Sequence, residues 1–248
     1  MDAAELTARV LALVLERSPR TVVELETAAE GSADGVRGAL DALERNGLVE
    51  WDTARTHVSP GPRELRYARA DRDLAVLAEP AMRRLATESG ETVNLMVRTA
   101  GGAEAIAQVD GRHVLGVSNW VGREVPDHCS AAGKVFLAFG ASSLPAGQLE
   151  RRTPHTLTDR PLLERELEAV RRQGFATIVD ELELGLAAVA APVRDADAVV
   201  AALSVAGPTA RLGLLGRVAI EQAHTVSVQL GFRGELEDLL DSLRARRE

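Results

Sequence analysis

The chain has 248 residues, of which 46% are hydrophobic and 27% are charged, and its formal net charge is −8 at pH 7. This composition is typical of a globular protein with one good-sized core or two modest ones, and it excludes a disordered or fibrous chain. The apolar runs are too short to cross a bilayer, and residues 1–10 carry acidic groups where a secretory leader would carry basic ones. We therefore expect a cytoplasmic protein with no membrane partner.

Cysteine content and charge narrow the possible chemistry. Cys129 is the only cysteine, which excludes an intrachain disulfide and a thiolate cluster for structural zinc. We expect neither a metal nor a cofactor. The negative charge argues against nucleic-acid binding over the whole surface, because phosphate binding depends on Lys and Arg releasing counterions. Any contact with nucleic acid must therefore be local.

The first 45 residues contain the pattern of three short helices. Apolar residues recur at helical spacing from Leu6 to Val14, and Ser18-Pro19 breaks that helix. The pattern predicts a second helix over 22–29. A third helix, which Ser32 can cap, is predicted to end at Asn46-Gly47.

Two short strands and a longer helix are predicted next. The strands cover 48–51 and 56–59 around a polar turn, and Pro60-Gly61-Pro62 closes the unit. Three helices followed by a two-stranded wing is the order of a winged helix-turn-helix. A helical pattern over 71–89 then predicts a connector between domains, with a kink or restart near Glu79 because Pro80 follows. Alternatively, this helix packs on its own domain.

Beyond Gly90 the pattern changes to strands interrupted by helices. The hairpin is clearest, because two apolar runs flank the polar turn at 195–197 and the second run ends at Gly207-Pro208. Mixed order of this kind predicts an α+β domain with an antiparallel sheet and helices on one or both faces. The other predicted strands are 92–97, 103–109 and 114–117, and the predicted helices are 130–139, 162–173 and 212–230.

Three motifs resemble those of the IclR family of bacterial transcription regulators. They are DELELGLAAVAAPVRDADAVVAALSVAGPTARL at 180–212, ETVNL at 91–95 and HCSAAGK at 128–134. The resemblance implies a winged helix-turn-helix DNA-binding domain at 1–69, a linker helix at 70–90, and an effector-binding and oligomerisation domain at 91–248 with a GAF/PAS-like fold. It also implies a ligand-responsive regulator that binds double-stranded operator DNA and a small-molecule effector as a homodimer or a dimer of dimers.

A winged helix-turn-helix meets base edges with its third helix and the DNA backbone with its wing. The chain departs from the family pattern there, because Ala33, Asp34, Gly35 and Gly38 stand where the family usually has basic residues, Ser or Thr. The first 70 residues also carry nine arginines and twelve acidic residues. The alternative is therefore a sensor or scaffold protein whose N-terminal domain no longer binds DNA and instead mediates protein contacts. The predicted DNA-contacting residues are Ser32, Asp34, Arg37, Arg45, Arg55 and Arg63.

The start of the helix after His128 predicts an anion site, because the first amides of a helix have no partner within the helix. In the family, small acids bind there against the signature hairpin. Ser204 is the one polar side chain in the corresponding set, so we expect a small carboxylate with an apolar or aromatic body. The predicted effector-binding residues are Val114, Val117, Trp120, Val125, Ala131, Ala132, Gly133, Ile178, Leu186, Ala188, Ser204 and Ala206.

A thiol enzyme is the third interpretation, because Cys129 follows His128. Neighbours in an extended segment point to opposite sides, which places them poorly for sharing a proton. Gly133-Lys134 lacks the preceding glycine of a phosphate loop, and no dinucleotide fingerprint occurs. We therefore expect a protein that is not an enzyme.

Overall fold

The structure is a computed structural model that describes residues 2–16, 20–99, 101–113, 119–144, 146–211 and 216–234, with the backbone only at 62–69. The chain forms two compact units, residues 1–73 and 74–248. Within the described ranges, no helix is both long enough and apolar enough to span a membrane.

In the described part of the first unit, three helices and a small antiparallel sheet precede the start of a fourth helix. The strands of this sheet are ordered β1-β3-β2. The elements are α1 (Ala3–Glu16), β1 (Arg20–Thr21), α2 (Val22–Ala29), α3 (Ala33–Arg45), β2 (Val49–Trp51) and β3 (His57–Pro60).

Caps define the helix starts in this unit. Thr21 and Glu24 form a capping box at α2, and the Ser32 hydroxyl accepts a hydrogen bond of 3.2 Å from the Gly35 amide at α3. The predicted second helix, the Ser32 cap and the end of α3 at Asn46 are confirmed. Strand β1 was not predicted. It has two residues, too few for any periodicity.

Helix α4 (Pro62–Ser89) is longer than predicted. It begins at Pro62, where proline suits a first helical position because the missing amide hydrogen has no helical partner. The predicted restart near Glu79 is wrong, since the helix continues through Pro80. Its residues Ala78, Met82 and Leu85 pack in the core of the second unit, so this half of α4 packs on that unit's sheet.

Among the described residues, the second unit is built on a six-stranded antiparallel sheet of order β6-β5-β4-β9-β8-β7. The predicted α+β class is confirmed. The predicted strand at 114–117 and residues 212–215 of the last predicted helix lie outside the described residues. The elements are β4 (Thr92–Arg98), β5 (Ala103–Val109), β6 (Glu124–Val125), α5 (Ala131–Ala138), α6 (Arg160–Gln173), β7 (Ala176–Val179), β8 (Leu186–Arg194), β9 (Val199–Pro208) and α7 (Gly216–Gln229).

The hairpin of β8 and β9 is buried on both faces, which explains its nearly continuous apolar sequence. Side chains alternate between faces along each strand. Large residues such as Val189 and Leu203 face the core that contains α4 and α7. Small residues such as Ala188 and Ala206 face the core that contains α5 and α6. The small residues leave space on that side of the sheet.

Candidate functional site

A cavity of about 50 Å³ lies where these small residues face the start of α5. It brings together nine residues that the sequence places in the effector site. These nine are Trp120, Val125, Ala131, Ala132, Ile178, Leu186, Ala188, Ser204 and Ala206. Four further wall residues were not predicted from the sequence: Asn94, Met96, Ser130 and Leu182.

The pairing of β4 with β9 places Asn94 in the cavity wall. Asn94 is directly opposite Ser204 in the antiparallel register, and both are buried. Alternation along β4 puts Met96 on the same face. Asn94 belongs to the ETVNL motif, so the sequence indicated that this residue is important. The register of β4 against β9, which places Asn94 in the cavity wall, could not be predicted from the motif.

Three predicted effector-binding residues are not among the described residues that line the cavity. Val114 and Val117 lie outside the described residues. Gly133 does not line the cavity. Its amide donates to the Ser130 hydroxyl at 3.2 Å, and a Cβ at Gly133 would lie 2.2 Å from the Cα of Asp127. Gly133 therefore serves the cap and the close packing of α5, and the expectation of a free Gly133 amide is wrong.

The first two amides of α5 remain available. Neither Ala131 nor Ala132 donates its amide hydrogen to an acceptor among the described residues, and both residues line the cavity. Aligned peptide dipoles give a helix start partial positive charge. These amides can therefore bind an anion such as a carboxylate.

The cavity wall also holds two polar atoms without partners. The Asn94 Oδ1 acceptor and the Trp120 Nε1 donor are buried, and neither has a hydrogen-bond partner among the described residues. Asn94 is 5% exposed. Leaving such an atom unpaired costs about 1–3 kcal/mol. The expectation that Ser204 is the one polar side chain is therefore wrong, and a bound molecule that pairs with these atoms would recover that free energy.

The geometry near Cys129 is unlike that of a thiol nucleophile. Residues 127–129 form a 3-10 turn, whereas an extended segment was expected. Burial raises the pKa of the Cys129 thiol to about 12, so it stays protonated at neutral pH. The His128 Nε2 donates to the Glu150 carbonyl at 2.8 Å. Within the described ranges, no group of three or more potential metal ligands occurs.

The predicted DNA-contacting residues lie in or near α3 and the β2–β3 turn. Asp34, Arg37 and Arg45 are exposed on α3. Arg55 is already engaged, because it forms hydrogen bonds of 2.9 and 3.2 Å with the Glu44 carboxylate and lies 5.0 Å over the Trp51 ring. The Arg63 side chain is outside the described part of the structure.

The sequence is similar to known regulators. Residues 68–227 match the family described as bacterial transcriptional regulator IclR C-terminal. The HTH-type transcriptional repressor AllR of Escherichia coli is 34% identical over 178 residues, which cover 67% of this chain and 65% of the repressor. The chain thus spans slightly less than two thirds of the length of this curated relative.

Solved structures share the fold. A putative IclR transcriptional regulator from Silicibacter sp. TM1040 has a TM-score of 0.71 at 23% identity and covers 94% of this chain and 98% of its own. An IclR homolog from Microbacterium hydrocarbonoxydans, complexed with 4-hydroxybenzoate, has a TM-score of 0.65 at 23% identity and covers 92% and 99%.

The members of this family are transcriptional regulators and not enzymes. The family match extends over more than half of the chain. The protein belongs to the IclR family of bacterial transcriptional regulators.

Proposed function

We propose that the protein is a ligand-responsive DNA-binding regulator that senses a small carboxylate with an apolar or aromatic body. The proposal assigns residues 1–69 to a winged helix-turn-helix, 70–90 to a linker helix, and 91–248 to a GAF/PAS-like domain that binds the effector and self-associates. The observation that carries it is the cavity at the start of α5, whose walls are mostly apolar and in which Asn94 Oδ1 and Trp120 Nε1 have no partner among the described residues.

The cavity supports a carboxylate with a hydrophobic body. The amides of Ala131 and Ala132 suit the carboxylate, because they are the first donors of a helix. Ile178 and Leu186 suit an apolar or aromatic ring. A hydroxyl on that ring would donate to Asn94 Oδ1 or accept from Trp120 Nε1. A small, heavily hydrated acid would have few partners against these walls.

The effector proposal is tested by titration followed through the fluorescence of Trp120, in a Trp51→Phe background that leaves one tryptophan. 4-Hydroxybenzoate carries both a carboxylate and a ring hydroxyl and is the first probe, with lactate as the small polar comparison. We expect saturable binding of 4-hydroxybenzoate and little response to lactate. Binding of lactate but not of the aromatic acid would contradict the proposed specificity.

Two matched variants test the role of the helix amides. Ala131→Pro removes one amide hydrogen at the first helical position, where proline is tolerated, and Ala131→Ser keeps it. We expect the proline variant to bind 4-hydroxybenzoate about tenfold more weakly than the serine variant, since a charge-assisted hydrogen bond is lost. Equal affinities would show that the carboxylate is bound elsewhere.

The DNA-binding proposal rests on the fold of the first unit and on Arg37. This residue is exposed on α3, and no carboxylate among the described residues lies within 4.0 Å of its guanidinium group. The test is retardation of the DNA upstream of the protein's own reading frame at several salt concentrations. We expect a steep salt dependence, and for Arg37→Ala a slope smaller by about one for each bound protomer. Arg217→Ala, in α7, is the control and should leave the slope unchanged.

The second candidate function is a sensor or scaffold without DNA binding. Asp34 and Gly38 on the exposed side of α3, and the pairing of Arg55 with Glu44, favour it because they reduce the positive charge available to phosphates. Absence of retardation at low salt, together with binding of an aromatic acid, would support this candidate over the first.

Self-association completes the proposed mechanism. A dimer presents two α3 helices to two half-sites, and an effector that favours one arrangement of the sensor domains changes their spacing. We propose a homodimer or a dimer of dimers, which sedimentation velocity distinguishes. A monomer at micromolar concentration, with and without DNA, would contradict the mechanism.

A further inference from the structure

Lys134 is the only lysine of the chain, and its side chain is fully buried. Its Nζ lies 2.6 Å from Glu166 Oε1 and 2.7 and 2.8 Å from the two carboxylate oxygens of Glu181. A buried ammonium group is costly unless its donors are satisfied. Here the carboxylates of Glu166 and Glu181 accept all the hydrogen bonds that three donors can make.

The three residues belong to three different parts of the second unit. Lys134 lies on α5, within one turn of the two available amides at its start. Glu166 lies on α6. Glu181 lies in the connection between β7 and β8, residues 180–185, which we name the closing loop. The residue after Glu181 is Leu182, which lines the cavity.

The closing loop is also held by three hydroxyl groups, one of which is the Thr209 hydroxyl that donates to the Asp180 carboxylate at 2.9 Å. Thr153 donates to the Asp180 carbonyl at 2.6 Å, and Thr156 donates to the Glu181 carbonyl at 2.7 Å. These bonds fix the backbone of the loop from the side of residues 153–156. The bond from Lys134 fixes the Glu181 side chain from the side of α5. The loop therefore depends on α5 through a single charged contact among the described residues.

We propose that Lys134 is a positioning residue for the effector site: through Glu181 it holds the closing loop so that Leu182 covers the cavity beside the α5 amides. The inference rests on the proposed function of that cavity. Glu166 is the internal comparison, because it binds the same ammonium group while no described cavity-lining residue lies on α6.

The test compares Glu181→Ala with Glu166→Ala in the Trp51→Phe background. Both variants remove one carboxylate from Lys134, and both should lower the melting temperature. Trp120 lines the cavity and packs against the same core cluster as Leu182. We expect Glu181→Ala to increase acrylamide quenching of Trp120 in the ligand-free protein about twofold, because the loop opens more often. Glu166→Ala should leave quenching close to that of the parent.

Two further measurements complete the test. Affinity for 4-hydroxybenzoate should fall about tenfold in Glu181→Ala and little in Glu166→Ala. Hydrogen exchange of the amides at 181–186 should rise in the first variant only. If Glu181→Ala does not fold, Glu181→Gln keeps the shape of the side chain and should change the same readouts in the same direction, by less.

The possible outcomes separate the two proposals. Equal quenching, exchange and affinity in the two variants would overturn the positioning role. They would show that the ion pairs of Lys134 with Glu166 and Glu181 only stabilise the fold. If the parent protein binds no aromatic acid, the proposed effector class fails. A difference in quenching and exchange between the two variants would then still support the role of Lys134 in holding the closing loop.

Discussion

Glu91 and Arg211, which are 120 positions apart in the sequence, form a bidentate ion pair. The Arg211 Nε lies 2.6 Å from Glu91 Oε1, and its Nη2 lies 3.0 Å from Oε2. Glu91 is 2% exposed. The pair joins the start of β4 to the segment after β9, close to the point where Thr92 of β4 pairs with Ala206 of β9. Both residues belong to the motifs that identified the family.

Arg211→Met should lower the melting temperature by about 10 °C, because it removes the bidentate partner of the buried Glu91 carboxylate and leaves it with the more distant His113 Nε2, 3.7 Å away. Thermal unfolding measures the effect. Arg217→Met is the matched control: Arg217 pairs with Glu221 on the surface of α7, and its loss should change the melting temperature little. Similar losses in the two variants would mean that the burial of Glu91 adds nothing to this ion pair.

Two glycine-to-alanine substitutions should have opposite effects. Gly38 lies in α3 with no atom within 4 Å of an added Cβ, so Gly38→Ala should stabilise the protein by about 0.5–1 kcal/mol. Gly133 lies in α5, where an added Cβ would be 2.2 Å from Asp127 Cα, so Gly133→Ala should destabilise it. Urea denaturation measures both. A gain in stability for Gly133→Ala would show that the Asp127 turn can move away from α5.

Cys129 should make stability depend on alkaline pH. Burial raises the pKa of its thiol from 9.0 to about 12. Above pH 9 the unfolded chain loses this proton while the folded chain retains it. The free energy of unfolding therefore falls as pH rises from 9 to 12, by up to about 1.4 kcal/mol per pH unit from this group. The thiol contributes its full stabilisation below pH 9.

Comparison of the parent with a variant that lacks the thiol separates the contribution of Cys129 from that of other groups that titrate at alkaline pH. Denaturation of the parent and of Cys129→Ala is compared between pH 7 and 10.5, and the parent should lose stability more steeply above pH 9. Parallel curves would contradict the shift. Alkylation by iodoacetamide at pH 8 should likewise be slow in the folded parent and fast in urea.

Ser32 allows helix capping to be separated from DNA contact. Its hydroxyl accepts from the Gly35 amide, so Ser32→Ala should cost about 1 kcal/mol of stability. Ser32→Asp keeps a capping acceptor and should leave stability nearly unchanged, but it adds a negative charge at the start of α3. If α3 faces DNA as proposed, this variant should weaken retardation while its melting temperature is preserved. Unchanged retardation would place Ser32 away from the phosphates.

Much of the fold could be predicted from local patterns. The limits of α2, the Ser32 cap, strand β5 and the hairpin turn at Asp195 follow from periodicity, capping and turn chemistry, which act over a few residues. Strand β1 and the start of α4 at Pro62 were missed, because two residues show no period and because Pro60-Gly61-Pro62 was interpreted as the end of a unit.

The candidate site divides in the same way. Six of the nine predicted wall residues lie in the motifs, at the start of α5 or on β8 and β9, whereas Trp120, Val125 and Ile178 lie outside the motifs. The motifs did not indicate that Asn94 faces Ser204, or that Gly133 is used in packing against Asp127. Those facts depend on the register of β4 against β9 and on the fit of α5 against the turn before it.

The sequence by itself determined the family, the first three helices and the apolar hairpin of β8 and β9. The tertiary structure decided which polar atoms remain unpaired in the cavity and which carboxylates surround Lys134. The physical reason is the distance along the chain over which each kind of interaction acts. Periodicity, caps and turns arise between near neighbours in the chain, whereas burial and pairing join residues such as Lys134 and Glu181, 47 positions apart, only after the sheet and helices have packed.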